Sequence, residues 1–295
     1  MRLFYCDHFE IPLPDGHKFP MAKYRLLRER LMKDGFWQLE PAEPAAVETI
    51  ALAHDPEYIA QFVNGTLSSS AMRRIGFPWS EGLVRRTLAS AGGTLAATRD
   101  AIETGFGGTL AGGTHHAFRT EGSGFCVFND VAIAIHFYRP KRAAVVDLDV
   151  HQGDGTAHFF EHDPDVLTIS LHGANNFPFR KQRSKIDVEL VDKTGDEEYL
   201  RALDSVLPRV FEFAPEIVFY LSGVDALASD VLGRLALTEE GLKARDRRVI
   251  GECAKRKLPL VITLGGGYSK PIELTAEAHA NTFRIAAEIY AGADC

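Results

Sequence analysis

The chain of 295 residues is 45% hydrophobic and 25% charged, a globular balance that can fill one large core or two smaller ones and excludes collagen-like, mucin-like, coiled-coil and disordered chains. Thirty-three Lys and Arg against forty Asp and Glu leave a formal charge of −7. That is the wrong sign for a protein whose affinity comes from neutralising phosphates, so a direct nucleic-acid ligand is not expected.

Cys6, Cys126, Cys253 and Cys295 are scattered without a C-x-x-C pair, so reduced thiols and a cytoplasmic location are expected. The opening Met1-Arg2-Leu3-Phe4-Tyr5-Cys6-Asp7 meets an acid before an apolar signal segment could form. No apolar run approaches the ~20 residues of a membrane span, and no membrane partner is expected.

In chain order, the first predicted helix follows Ser80, with Leu83, Val84, Leu88, Ala91, Leu95 and Ile102 spaced for one face. A glycine-rich stretch comes next, Gly112-Gly113-Thr114-His115-His116-Ala117 and then Gly122-Ser123-Gly124-Phe125-Cys126. Residues 143–148 are an unbroken apolar run that closes in Asp147-Leu148-Asp149-Val150-His151-Gln152-Gly153-Asp154-Gly155, and residues 166–171 form a second such run. Leu200, Leu203, Leu207, Val210 and Phe211 share a helical face, after which Ile217–Leu221 makes a third strand ending in Ser222-Gly223-Val224-Asp225. Thr238-Glu239-Glu240 starts a helix bearing Leu242, Val249, Ile250 and Cys253. Residues 260–264 run as a fourth strand into Gly265-Gly266-Gly267-Tyr268, and Ala278, Thr282, Ile285, Ala286 and Ile289 mark a closing helix. Short apolar strands alternating with helices predict buried parallel pairing, in a single doubly wound α/β domain over residues 1–295.

In such a sheet the ligand sits at the carboxyl ends of the strands. Alternation along 143–148 puts Asp147, Asp149 and His151 on one side, because extended side chains repeat every second residue. Carboxylates at the mouth of a buried strand are costly unless they are paired or hold a metal. Asp225, alone readable as a helix cap, completes two carboxylates and one imidazole with Asp149 and His151. Three protein ligands leave a fourth position open, which is the arrangement of a catalytic zinc. The tandem histidines and the Gly-Gly-Gly-Tyr run are weak signals singly, and both lie in loops that could reach the same mouth.

Together, Gly-Gly-Thr-His-His, Asp-x-Asp-x-His-x-x-Asp-Gly, Ser-Gly-x-Asp-Ala-Leu and Gly-Gly-Gly-Tyr occur here in that order, and the chain resembles the histone deacetylase family of zinc amidohydrolases. The resemblance runs from His54-Asp55-Pro56-Glu57-Tyr58 to the C-terminal helix. Gln152 and the Asp230-x-Leu232-Gly233-x-Leu235 run are similar to the class IV branch and its bacterial relatives, as is the stretch from Leu13 to Met21 to bacterial members. The resemblance implies a three-layer α/β/α, arginase/deacetylase-like fold with a mainly parallel sheet, and hydrolysis of an N-acyl amide, foremost acyl-lysine in a peptide or protein.

Carried over by position, the resemblance makes Asp149, His151 and Asp225 the ligands of one catalytic zinc. It makes His115 and His116 the catalytic imidazoles, paired with Asp147 and Asp154, and Tyr268 the hydroxyl that meets the substrate carbonyl. It implies a substrate tunnel at Gly124, Phe125, Phe177 and Gly266, and a structural potassium ion at Asp147, Asp149, His151, Ser170 and Leu171. His116 is expected to shuttle the proton while His115 gives electrostatic support. The class IV likeness adds cleavage of longer acyl chains, and the overall negative charge is compatible with a cationic peptide.

Three other readings remain open. A binuclear manganese ureohydrolase would want further acids, and none stands two residues beyond Asp225. A catalytically silent acyl-lysine-binding protein would be favoured by loss of a ligand, of the tandem histidines or of the tyrosine, all of which are present. An acetylpolyamine amidohydrolase, or one acting on another small acyl-amine, would use the same centre.

Overall fold

Every strand among the described residues runs in the same direction. The computed structural model describes residues 1–292, so Cys295 lies outside the described residues. The strands are β1 (Arg2–Tyr5), β2 (Gln38–Pro41), β3 (Phe106–Thr109), β4 (Ala143–Asp147), β5 (Val166–Gly173), β6 (Ile186–Leu190), β7 (Ile217–Leu221) and β8 (Leu260–Thr263). They pair in parallel as one sheet in the order β2-β1-β3-β8-β7-β4-β5-β6.

Strand alternation divides the interior into two cores. On β4, Ala144 and Val146 face one core and Ala143 and Val145 the other; on β7, Val218 and Tyr220 oppose Ile217, Phe219 and Leu221. The first core is covered by the helices Ala22–Asp34, Asp196–Glu212, Glu239–Lys255 and Ile272–Gly292, through Leu31, Leu203, Val249 and Phe283. The second is covered by Pro56–Val63, Glu81–Thr104 and Asp130–Tyr138, through Phe62, Leu83 and Ile133. A sheet apolar on both faces needs a helical layer on each, which gives the predicted three-layer α/β/α arrangement.

The start signals read from sequence are caps. Ser80 accepts from the Leu83 N–H and Thr238 from the Gly241 N–H, each satisfying a free donor of the first turn. Ile102, assigned to the apolar face of its helix, is instead 52% exposed, in the last turn.

Because all strands are parallel, their carboxyl ends share one edge, and β3, β8, β7 and β4 are successive neighbours. Backbone bonds extend past the strand ends, with the Leu264 N–H on Ala111 O, the Ser222 N–H on Thr263 O and the Leu148 N–H on Leu221 O, at 3.0 to 3.1 Å. Four loops are thereby held at fixed heights where the chemistry-bearing residues begin.

Candidate active site

Beyond β4 each acid accepts a backbone N–H two residues on, Asp147 from Asp149 at 3.1 Å and Asp149 from His151 at 2.9 Å. These local turns let the chain leave the sheet while keeping both carboxylates inside. The loop after β7 brings Asp225 across, its Oδ1 accepting the Val150 N–H at 2.9 Å. Asp149, His151 and Asp225 are 1%, 8% and 0% exposed, and their candidate ligand atoms lie within 4.8 Å of one another. His151 Nδ1 faces both acids, 3.0 Å from Asp149 Oδ1 and 3.1 Å from Asp225 Oδ2. Gly266 closes the cluster from β8. Its N–H donates to Asp149 Oδ2, and a Cβ there would stand 1.8 Å from Asp225 Oδ2, so no other residue fits.

The three groups press on one another's protonation. Burial opposes the charge of Asp149, but His115 and His151 outweigh it and hold this carboxyl well below the usual range. Burial and the Asp149 charge push Asp225 up to about 7. For His151 the hydrogen bonds to both acids overcome burial and raise it to about 10. Two buried carboxylates and one imidazole at this spacing fit a small divalent cation, whose charge would replace the protons that Asp225 and His151 otherwise retain.

His115 and His116 enter from the loop after β3. His115 Nδ1 is 2.7 Å from Asp147 Oδ2, and His116 Nδ1 is 2.6 Å from Asp154 Oδ1. A carboxylate at Nδ1 fixes the proton there and leaves Nε2 to the cleft. The two imidazoles differ in charge. Burial disfavours the His115 cation, yet Asp147 and Asp149 raise it to about 9, whereas burial and the His115 charge lower His116 to about 4 despite Asp154. At neutral pH this tandem pair therefore combines one cationic and one neutral imidazole.

Tyr268 completes the cleft from the loop after β8. Burial first, then Tyr24 and the carboxylates of Asp149 and Asp225, push its phenol well above its ordinary value, so it stays a donor. The cleft has a volume of about 540 Å³, and His116, His151, Tyr268, Gly124, Phe125 and Phe177 line it. Phe177 stands edge-on to His116 with centroids 4.9 Å apart. Gly124, at φ +53°, lies so close that a Cβ would come within 2.7 Å of the His116 ring. Gly266, expected on the tunnel wall, directs its N–H to Asp149 Oδ2. Strand register sets Ser170 beside Asp147, but the Ser170 hydroxyl is engaged with His172 Nδ1 at 2.9 Å.

The histone deacetylase domain matches residues 17–285. The chain belongs to the histone deacetylase family. An uncharacterized protein of Picosynechococcus sp. is 42% identical over 97% of this chain and 98% of its own length. Histone deacetylase 2 of Arabidopsis thaliana is 32% identical over 92% of this chain and 75% of its own. An acetylpolyamine aminohydrolase from Burkholderia pseudomallei shares the fold at a TM-score of 0.81, with 21% identity over 98% of this chain and 99% of that one.

Three residues beside this cleft have roles that the sequence reading did not assign. Asp230 accepts the N–H groups of Leu232, Gly233 and Tyr268 at 2.9, 2.8 and 2.6 Å, fixing the backbone that carries the tyrosine. Lys23 is 1% exposed, and its Nζ donates to Gly265 O at 3.2 Å and lies 5.2 Å from the centre of the Tyr268 ring.

Arg245, fully buried, donates from one nitrogen to Gly223 O at 2.5 Å and Leu148 O at 3.3 Å, tying together the loops that bear Asp225 and Asp149. Asp246 balances its charge and accepts from the Tyr220 and Thr282 hydroxyls. Arg245→Met should therefore destabilise the protein by about 3–5 kcal/mol, since it leaves Asp246 buried without its cation. Urea unfolding of wild type and variant checks this, and a loss under about 1 kcal/mol would remove Arg245 from the account.

Proposed function

We propose that the chain, acting as one unit over residues 1–295, is a zinc-dependent deacylase that hydrolyses acyl-lysine, with Asp149, His151 and Asp225 as ligands of a single catalytic ion. The observation that carries this reading is the convergence of Asp149, His151 and Asp225, two carboxylate-paired histidines and a tyrosine on one aromatic-walled cleft. A bound zinc would supply Lewis acidity towards the acyl carbonyl and the attacking water.

The remaining steps fall to the chain's own residues. Phe125 and Phe177 flank the lysine stem and exclude water beside it. Neutral His116 accepts the proton that water loses as its oxygen bonds to the carbonyl carbon, and returns a proton to nitrogen as the C–N bond breaks. Cationic His115 offsets the negative charge that builds up, and Tyr268 donates to the carbonyl oxygen as it becomes an oxyanion. A potassium ion at Asp147, Asp149, His151, Ser170 and Leu171 is a further element of the proposal, supported by the β4–β5 register. A reducing, cytoplasmic setting is supported by Cys6, Cys126 and Cys253, all buried and unpaired.

A panel of acetyl-, octanoyl- and myristoyl-lysine peptides beside acetylated polyamines, arginine and agmatine tests the reaction class. Release of acid from the peptides is expected. Urea from arginine or agmatine without deacylation would replace this reading by the ureohydrolase one.

The histidine roles are separable. His116→Ala should lower turnover more than His115→Ala, because it removes the proton carrier rather than a supporting charge. The rate needs neutral His116 and falls as pH drops through its value, which burial and the His115 charge place near 4 rather than 6.5. The acidic limb of kcat/KM should accordingly lie below pH 6.5 and change in the His116 variant. A more damaging His115→Ala would reverse the assignment.

A further inference from the structure

The mouth of the cleft has a charge opposite to that of the whole chain. Arg73, Arg74 and Arg234 line it, and no Asp or Glu among the described residues does, although the chain as a whole carries −7. Two of these arginines are each paired with one acid, Arg74 with Glu121 and Arg234 with Asp192 at 3.2 Å. Arg73 is exposed and has no carboxylate partner among the described residues. The loop that carries Phe177 adds Lys181, whose Nζ donates to the carbonyls of Asn176 and Pro178, both at 2.6 Å. On the same rim Phe179 stands 84% exposed, a large apolar face beside the arginines.

We infer that this site selects acyl-lysine carried in an acidic segment, with Asp or Glu one or two residues from the acylated lysine, and discriminates against polycationic acyl-amines. The inference rests on the acyl-amide hydrolase reading above and concerns which substrate that centre receives. With the acyl-lysine side chain inserted, the peptide backbone stays at the rim. Extended chain advances about 3.3–3.6 Å per residue, so the flanking side chains lie over the arginines. A guanidinium offers a carboxylate two parallel donors, while an acetylpolyamine would bring its remaining ammonium groups against like charge. The global −7 acts at long range and is screened by salt, so the local rim decides the flanking preference.

Three acetyl-lysine peptides of equal length, flanked by Asp and Glu, by Ala and Gln, or by Lys and Arg, are compared with an acetylpolyamine on the metal-replete enzyme. The acidic peptide should exceed the basic one in kcat/KM by about three- to tenfold at low salt, the gap lying mainly in KM and narrowing at about 0.5 M salt. Arg73→Glu combined with Arg234→Glu should shrink or invert that order. Equal rates for the three peptides, preference for the basic peptide or the acetylpolyamine, or an order untouched by the charge reversal would overturn the inference while leaving the hydrolase reading intact. Cleavage of none of the substrates would overturn the hydrolase reading itself, and the rim preference with it.

Discussion

Asp225→Asn should leave the fold in place and remove the metal. The amide is nearly isosteric and keeps an oxygen for the Val150 N–H that Asp225 Oδ1 now accepts, so the loop after β7 retains its anchor. What is lost is one of the two carboxylates in the proposed three-residue ligand set. A catalytic ion contributes several kcal/mol of transition-state stabilisation, and each ~1.4 kcal/mol is a factor of ten, so kcat/KM should fall by at least about 10³. Elemental analysis should find the zinc content of the variant far below that of the wild type. A variant that keeps both its metal and its turnover would remove Asp225 from the ligand set.

Tyr268→Phe isolates the hydroxyl. Its backbone is pinned by Asp230 and its ring flanked by Lys23 and Phe125, so the phenylalanine should take the same position with little change in volume. Loss of one preorganised oxyanion donor costs roughly 10² to 10³ in kcat. Zinc content should be unchanged and KM little affected, since the contact strengthens only as charge develops on oxygen. Turnover within a factor of about three of wild type would show that another donor serves the oxyanion.

The central strands were legible because burial on both faces leaves an unbroken apolar run, as in 143–146 and Ile217–Leu221. The other four strands send weaker signals for particular reasons. β3 is Phe-Gly-Gly-Thr; a Cβ on Gly107 would meet Ala97 O at 1.8 Å, so helix packing against the strand has replaced β-forming side chains by glycine. β2, at one edge, is polar and ends in proline, and β6, at the other, alternates Ile-Asp-Val-Glu-Leu rather than running apolar. β1, Arg-Leu-Phe-Tyr, opens on a charge and is fully buried only at its two middle residues.

The same contrast holds in the site. Asp147, Asp149, His151 and Asp154 sit within eight positions of one another and could be read as a unit. Lys23 reaches Gly265 across 242 residues and Arg245 reaches Leu148 across 97, and nothing local marks a lysine or arginine that will be buried. Asp230 was visible only as part of a family-like run, and its hold on Tyr268 depends on two loops meeting at the sheet's edge.

The most direct test of the account is metal-dependent turnover of one acetyl-lysine peptide, followed through chelation and titration with zinc. The account predicts activity lost on chelation and regained in proportion to zinc, reaching its plateau at one equivalent per chain held by Asp149, His151 and Asp225. Full activity in the metal-free protein, or a plateau reached only at two equivalents, would contradict it.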